Sequence, residues 1–364
     1  MRPMEKLSIY FHWPYCKSKC PYCDFFKKVD PKVNQEALIE SYISELEYYH
    51  RLVPERTIRS VFFGGGTPSL IKPALIEKLL GHISKLWKLE TAVEVSLEAN
   101  PNTDRPALFA DLKEAGINRL SLGVQALNDA DLKFLGRTHS LSDAYKSIEE
   151  VLKNFDNHTI DLIYARPEQK LDDWLKELEQ AASFGLKHLS LYQLTIEEGT
   201  VFDRRGIKAL EDEKAARMYE KTVCFLREKG YPRYEVSNFA PRAFESVHNK
   251  CYWQGGDYIG IGESAHGRLK TGGKHYAFVH PHQQEPLSAL ERAEELVIVG
   301  LRLEEGINKA HFEEVCGYHF DDFINQKRLE ELTAEGLLSN TSKSLKATDK
   351  GFLLIDKLAL ELLS

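Results

Sequence analysis

Cysteine is scarce in this sequence: there are six in 364 residues, and three of the six fall between positions 16 and 23. So thin and uneven a supply excludes a disulfide-built scaffold and points to a reducing compartment, the cytoplasm. Long hydrophobic runs are missing too. No apolar stretch approaches the ~20 residues that span a bilayer, and Met1–Leu7 lacks the pattern of a signal peptide. Positive charge is not in excess: the formal net charge is −7, which counts against nucleic acid as the main partner. No low-complexity tract and no short sequence repeat is present. What remains, with 43% apolar and 28% charged residues, suits a globular protein with one large domain and a smaller one.

A fourth cysteine is absent where it would matter. Cys16, Cys20 and Cys23 form a C-x3-C-x2-C loop directly after the apolar run Ser8–Trp13. Three thiolates on one loop can hold three irons of a cubane cluster that ordinarily takes four cysteines. Phe25 stands where a C-x-C extension would place the fourth, so one iron stays open to a ligand. The alternative is a structural zinc completed by His12 or Asp24, although only half of the paired C-x2-C knuckle pattern is present.

Further on, β-rich runs alternate with amphipathic ones. Strands are predicted at Ser8–Trp13, Ser60–Phe63, Val93–Leu97, Arg119–Gly123, Thr159–Tyr164 and His188–Tyr192. Helices follow them at Asn34–Arg51, Pro73–Trp87, Asp104–Ala115, Asp143–Lys153, Leu171–Phe184 and Glu211–Lys229. Six strand–helix modules imply a parallel sheet with right-handed crossovers. Unusual polar groups recur just past the strand ends: the cysteines, Gly64–Pro68, Glu98, Gln125, Asp161 within its strand, then Gln193 and Thr195. A barrel gathers all strand ends around one mouth, whereas an open sheet focuses ligands at a single switch point. The fold expected is therefore α/β, a partial parallel (β/α)6 barrel over residues 1–230.

Residues 231–290 read as an extension of that barrel, with a strand at Tyr231–Asn238, an aromatic and glycine-rich stretch at His248–Gly267, and a mobile loop at Lys270–Pro286. Residues 291–364 read as a smaller α+β, winged-helix-like module. Its helices are as acidic as they are basic, so packing against the barrel is expected rather than DNA binding.

The candidate residues have physical roles. Glycines at Gly65 and Gly66 let backbone approach a ligand closely. Glu98 can pair with an ammonium, Arg137 can grip a carboxylate with its two-pronged donors, and Asp161, set among isoleucine and leucine, needs a partner such as a pair of ribose hydroxyls. Each alone has a structural reading; together they describe a pocket for a zwitterionic amino acid joined to a nucleoside.

The segments Y-F-H-W-P-Y-C-K-S-K-C-P-Y-C-D-F-F, F-F-G-G-G-T-P-S-L, L-E-A-N-P, R-L-S-L-G-V-Q and T-I-D-L-I-Y resemble the radical S-adenosylmethionine superfamily. More narrowly, they resemble the branch that holds the oxygen-independent coproporphyrinogen III oxidases and the heme chaperones of the HemW type. The resemblance runs nearly end to end. It implies a 4Fe-4S cluster on Cys16, Cys20 and Cys23, with S-adenosylmethionine on the open iron. By position it implies cofactor contacts from Tyr10, Tyr22, Gly65, Gly66, Thr67, Glu98, Gln125, Arg137, Asp161 and Thr195, with Ala265 or His266 at the adenine edge. The family's small glycine-rich turn before that Ala-His pair is replaced here by Gly262-Glu263-Ser264, and Ala165-Arg166-Pro167-Glu168 departs from its usual turn after the fifth strand.

Two features separate the branches. The oxidases carry an additional cysteine where this chain has Phe25. The chaperones carry H-N-x-x-Y-W, here His248-Asn249-Lys250-Cys251-Tyr252-Trp253. That motif implies heme, with His248 as candidate iron ligand and Tyr252 and Trp253 stacking on the macrocycle. The resemblance thus implies a protein that binds heme and hands it to an acceptor protein, with an unidentified electron donor and a homodimer among its expected associations. The rival is a radical oxidative decarboxylation of coproporphyrinogen III.

Overall fold

The computed structural model describes residues 5–101, 105, 107–280 and 283–364. Six parallel strands in sequential order form its centre: β1 (Lys6–Trp13), β2 (Thr57–Gly65), β3 (Lys88–Ala99), β4 (Arg119–Gln125), β5 (Asn157–Tyr164) and β6 (His188–Gln193). The crossovers run through α1 (Gln35–Leu52), α2 (Pro73–Leu86), α3 (Leu108–Glu114), the pair α4 (Asp129–Phe134) and α5 (Leu141–Asn154), and α6 (Leu171–Ser183). Two further helices, α7 (Val201–Arg204) and α8 (Asp212–Glu228), follow β6. Residue 104, where the third helix is predicted to begin, lies outside the described residues, as do residues 1–4.

Parallel strands covered on both faces are buried over most of their length, and these follow suit apart from the start of β3 and the end of β6. On β1 the outward set Leu7, Ile9, Phe11 and Trp13 is sealed from solvent. The alternate set faces inward, and across the sheet it is small and polar: Ser8, Ser60, Ser96, Ser121, Thr159 and Ser190 are all buried. Period-two alternation thus gives the barrel a polar lining inside an apolar shell.

The wrap stays open. The free edge of β6 takes β8 (Asn238–Phe239) and then β7 (Arg233–Glu235), both antiparallel, while the free edge of β1 takes β9 (Tyr258–Ile261) in parallel. The segment predicted as one strand over Tyr231–Asn238 is therefore two short strands with a turn between them. The expected loop at Lys270–Pro286 is also corrected: β10 (His266–Thr271), β11 (Lys274–Val279) and β12 (Gln283–Leu287) form an antiparallel meander that continues the sheet beyond β9. Its polar composition marks an exposed edge, not a missing strand. The motif from His248 folds as a helix, α9 (Val247–Trp253).

Helix α9 plugs the interior. Its N-terminal amides at Val247 and His248 donate to the buried Glu94 carboxylate at 3.0 and 2.9 Å, which satisfies the orphan donors of the first turn. The C-terminal part begins with α10 (Ala289–Gly300), started by a capping box from Ser288 and Glu291. Beyond it a three-stranded antiparallel sheet, Ile307–Asn308, Leu338–Asn340 and Ser344–Ala347, carries helices on its flank. This module packs on the barrel: one buried apolar cluster runs from Leu7 to Leu362, and the Arg233 guanidinium lies 3.4 Å from the centre of the Phe352 ring. Among the described residues no helix is long and apolar enough to cross a membrane.

Candidate functional site: two adjoining cavities at the barrel mouth

The loop after β1 is a closed excursion pinned by backbone. Cys16 N donates to Lys28 O at 2.9 Å and Lys28 N to Pro14 O at 2.6 Å, which ties its two legs together. The glycine turn after β2 is laced to the same loop by Gly66 N to Trp13 O (2.6 Å) and Thr67 N to Tyr15 O (2.9 Å). Half-buried Cys16, Cys20 and Cys23, all free thiols, line a cavity of about 680 Å³. Burial pushes the Cys16 thiol up; the hydrogen bond with Thr67 opposes this, and the neighbouring thiols add to the rise.

Gly66 explains why the turn is glycine-rich. A Cβ there would meet Tyr15 O at 2.7 Å and Trp13 O at 2.9 Å, both backbone atoms that cannot give way. Gly66→Ala is expected to cost about 1–3 kcal/mol through overpacking and to lower iron occupancy of the adjoining loop. Chemical denaturation and iron analysis of the reconstituted chain check this, and an unchanged pair of values would count against the close approach described.

The polar strand ends converge on the same space. Glu98, Gln125, Asp161, Tyr192, Gln193 and Thr195 line the cavity with Tyr22, Gly65, Gly66, Thr67 and Arg137. Among the described residues Glu98 accepts only a long hydrogen bond from Gly65 N, at 3.3 Å, and pairs with no cation. Burial first, then the neighbouring Asp161 charge, raise it to about 8. Asp161 accepts from the Ser121 hydroxyl at 2.8 and 2.9 Å, and burial raises it as well. Two carboxylates side by side in a cavity suit an ammonium and a diol. Gln125 holds φ at +74°, a conformation rare outside glycine, at the strand end where its side chain enters the site.

Arg137 is delivered by the left-handed Gly136 that ends α4, where a side chain would collide with Pro21. Its guanidinium donates to Gly123 O (2.9 Å), to Asn100 Oδ1 and to Cys20 Sγ (3.5 Å), and its buried Nε has no partner among the described residues. Asn100 also donates to Thr67 Oγ1 at 3.1 Å. It is a site residue that the reading by residue type missed. Its signal was the spacing: Asn100 lies two residues beyond Glu98, on the same side of the chain.

A second cavity, of about 590 Å³, abuts the first, and Phe25, Gly65 and Glu98 line both. Tyr10 and His266 line this second cavity and not the first, while Ala265 is buried. The other nine expected cofactor contacts line the first cavity, and Gly65 and Glu98 among them line the second as well. The zinc alternative loses His12, whose ring nitrogens meet the Tyr10 hydroxyl (3.1 Å) and Phe26 O (3.0 Å). Among the described residues no three Cys, His, Asp or Glu side chains gather tightly enough to hold a single ion. A cubane puts each thiolate on a different iron and does not require such a gathering.

His248, the candidate iron ligand, is enclosed. It is 1% exposed, Nδ1 is 2.9 Å from Ser60 Oγ, Nε2 is 2.6 Å from the Tyr252 hydroxyl, and the ring stacks on Phe62. Burial lowers it to about 3, so the ring is neutral and fully engaged in the plug. Tyr252 and Trp253, one turn further along α9, do reach the second cavity.

The pattern of this site matches known proteins. The profile described as the radical SAM superfamily matches residues 10–181, and the HemN C-terminal domain matches residues 287–354. The chain is 38% identical over 369 residues to a protein named heme chaperone HemW from Lactococcus lactis, covering 95% of this chain and 94% of that one. This chain belongs to the HemW branch of the radical SAM superfamily. It is also 36% identical to the mitochondrial radical S-adenosyl methionine domain-containing protein 1 of Bos taurus, over 99% of this chain and 88% of that one. The solved structure of Escherichia coli coproporphyrinogen III oxidase (HemN), a radical SAM enzyme, superposes with a TM-score of 0.82 at 21% identity, covering 99% of this chain and 91% of that one. That likeness establishes the shared fold.

Membership of the radical SAM superfamily implies a 4Fe-4S cluster and S-adenosylmethionine, and the first cavity fits them. It offers three thiols on one loop, the buried carboxylates of Glu98 and Asp161, and an arginine with an unused donor. Together the two groups supply one-electron chemistry when bound. The chain's own contribution is to hold them and to keep that space walled by β-strand ends.

Proposed function

We propose that this HemW-branch protein is a heme chaperone, which binds heme and transfers it to an acceptor protein, with the cluster and S-adenosylmethionine in support. The single observation that carries the reading is the second cavity. It is faced by the Tyr252 and Trp253 rings of the chaperone motif and opens beside the cysteine loop. In this reading Cys16, Cys20 and Cys23 ligate the cluster. Glu98 pairs with the ammonium of S-adenosylmethionine, Arg137 with its carboxylate, and Asp161 with its ribose. Tyr22, Gly65, Gly66, Thr67, Gln125 and Thr195 shape the rest of that pocket. A cytoplasmic location, a homodimer as working form and the absence of a nucleic-acid partner belong to the same reading.

Phe25 supports the chaperone over the decarboxylase. It is 61% exposed and offers a phenyl ring where the oxidase branch carries a further thiol. Purified full-length protein titrated with heme is expected to develop a Soret band saturating at one heme per chain. Anaerobically reconstituted protein supplied with S-adenosylmethionine and a reductant is expected to leave coproporphyrinogen III unconverted. Absence of stoichiometric heme binding, or turnover of coproporphyrinogen III, would overturn the proposal.

A further inference from the structure

We propose that the second cavity is the iron-porphyrin site itself, with His266 as the axial ligand and the Arg268–Arg292–Glu295 group receiving the propionates. This rests on the heme reading above and deepens it. Heme needs an unengaged donor for its iron, flat apolar surface for its ring and positive charge for its two carboxylates. Each is present in this cavity, on different elements.

The donor is His266. His248 is sealed in the plug, whereas His266 is exposed at the start of β10, lines the cavity, and has no hydrogen bond or ion pair among the described residues. Its backbone is held in place: a Cβ on Gly260 would lie 2.2 Å from His266 O, so β9 and β10 can approach only because glycine stands there. A free imidazole on an anchored strand at a cavity wall suits a metal ligand.

The ring surface comes from Tyr252, Trp253 and Tyr258, with Phe26 and Ile298 at the rim. Phe26 and Ile298 are large apolar side chains left substantially exposed, as expected where a flat ligand covers them. The charge comes next along β10. His266 and Arg268 are two residues apart, so both project from the same face of the strand. Glu295 pairs with Arg268 at 2.9 Å and with Arg292 at 2.9 Å. Two guanidiniums share one carboxylate, which leaves this end of the cavity with a net positive charge for an anion to meet.

The site also explains the placement of the two cavities. They meet at Phe25, Gly65 and Glu98, so a porphyrin on His266 would lie against the far side of the same wall that grips S-adenosylmethionine. Occupancy of one cavity is then felt by the other through shared side chains.

The test is a ferric heme titration of the full-length chain, followed by absorbance, EPR and magnetic circular dichroism. In the wild type a histidine-ligated spectrum is expected. His266→Ala is expected to weaken binding by about tenfold or more and to lose the histidine signature, and added imidazole is expected to restore it. His266→Gln, which keeps a polar side chain, is expected to do the same. Heme dimethyl ester, which lacks the carboxylates, is expected to bind the wild type less tightly than heme, and Arg268→Gln is expected to narrow that gap. If His266→Ala and His266→Gln, folded by circular dichroism, keep wild-type affinity and spectrum, the site is overturned while the chaperone reading stands. A wild type that takes up no heme would overturn both.

Discussion

A Cys20→Ala chain reconstituted anaerobically with iron and sulfide will carry no cubane cluster, while its barrel stays folded. With only Cys16 and Cys23 remaining, two of four irons would lack a protein thiolate, and the cluster's broad visible absorbance and its reduced-state EPR signal are expected to vanish completely. The fold should survive because the loop's anchorage is backbone. The Cys16–Lys28, Lys28–Pro14 and Gly66–Trp13 hydrogen bonds do not involve the Cys20 side chain. Far-ultraviolet circular dichroism and the denaturant midpoint should therefore remain close to wild type. The side chain lost is also the one that Arg137 touches, at 3.5 Å. S-adenosylmethionine binding should fall with the cluster. A cubane EPR signal of wild-type intensity in the variant, or stoichiometric zinc in the wild type, would remove the basis for the assignment.

Glu98→Gln should be the most damaging change to S-adenosylmethionine binding that leaves the cluster in place. Removing one partner of a buried charge pair costs about 2–5 kcal/mol, so dissociation constants should rise on the order of a hundredfold or more. Equilibrium binding to the reconstituted, unreduced protein reads this directly. The wild type should also show a pH dependence. Without a cation, burial and Asp161 raise Glu98 to about 8, so near pH 7 the free site is largely protonated. An ammonium requires the carboxylate, so affinity should climb as pH rises toward 8 and then level off, with a proton released on binding. The sign for stability is opposite. A carboxyl whose folded pKa lies above its unfolded value contributes stability present below about 4.5 that is lost as pH rises through about 8. The ligand-free protein should therefore lose stability across that window, and Glu98→Gln should flatten this part of the profile. An affinity independent of pH in the wild type, with Glu98→Gln binding normally, would rule out the pairing.

Much of the first cavity was legible because its chemistry sits at strand ends. Hydrophobic periodicity located the six strands, and a polar residue just past each is rare enough to be noticed. Glu98, Gln125 and Asp161 were found this way, Arg137 by its residue type, and all four line one space with the cysteines. The loop expected at Lys270–Pro286 went the other way. Its residues have polar exposed faces because they form the edge of the sheet, and the Gly272-Gly273 turn that joins β10 to β11 reads with them as one polar loop. Asn100 was passed over because an asparagine beside a proline usually marks a turn.

The H-N-x-x-Y-W motif teaches the complementary lesson. Its residue types suit heme, yet the same six residues form a helical turn, and three or four residues decide which side chains point into the barrel. That turn sends His248 to Ser60 and leaves Tyr252 and Trp253 toward the second cavity. His266 lines that second cavity as well.

The sequence by itself determined the cysteine loop, the alternation of strand and helix and the family, because each is written in local spacing and composition. Only the tertiary structure decided which histidine is available, since availability depends on neighbours brought from Ser60, Tyr252 and Gly260, far apart along the chain. Ligand chemistry is carried by residue type, but whether a lone pair is free or already engaged is a property of packing.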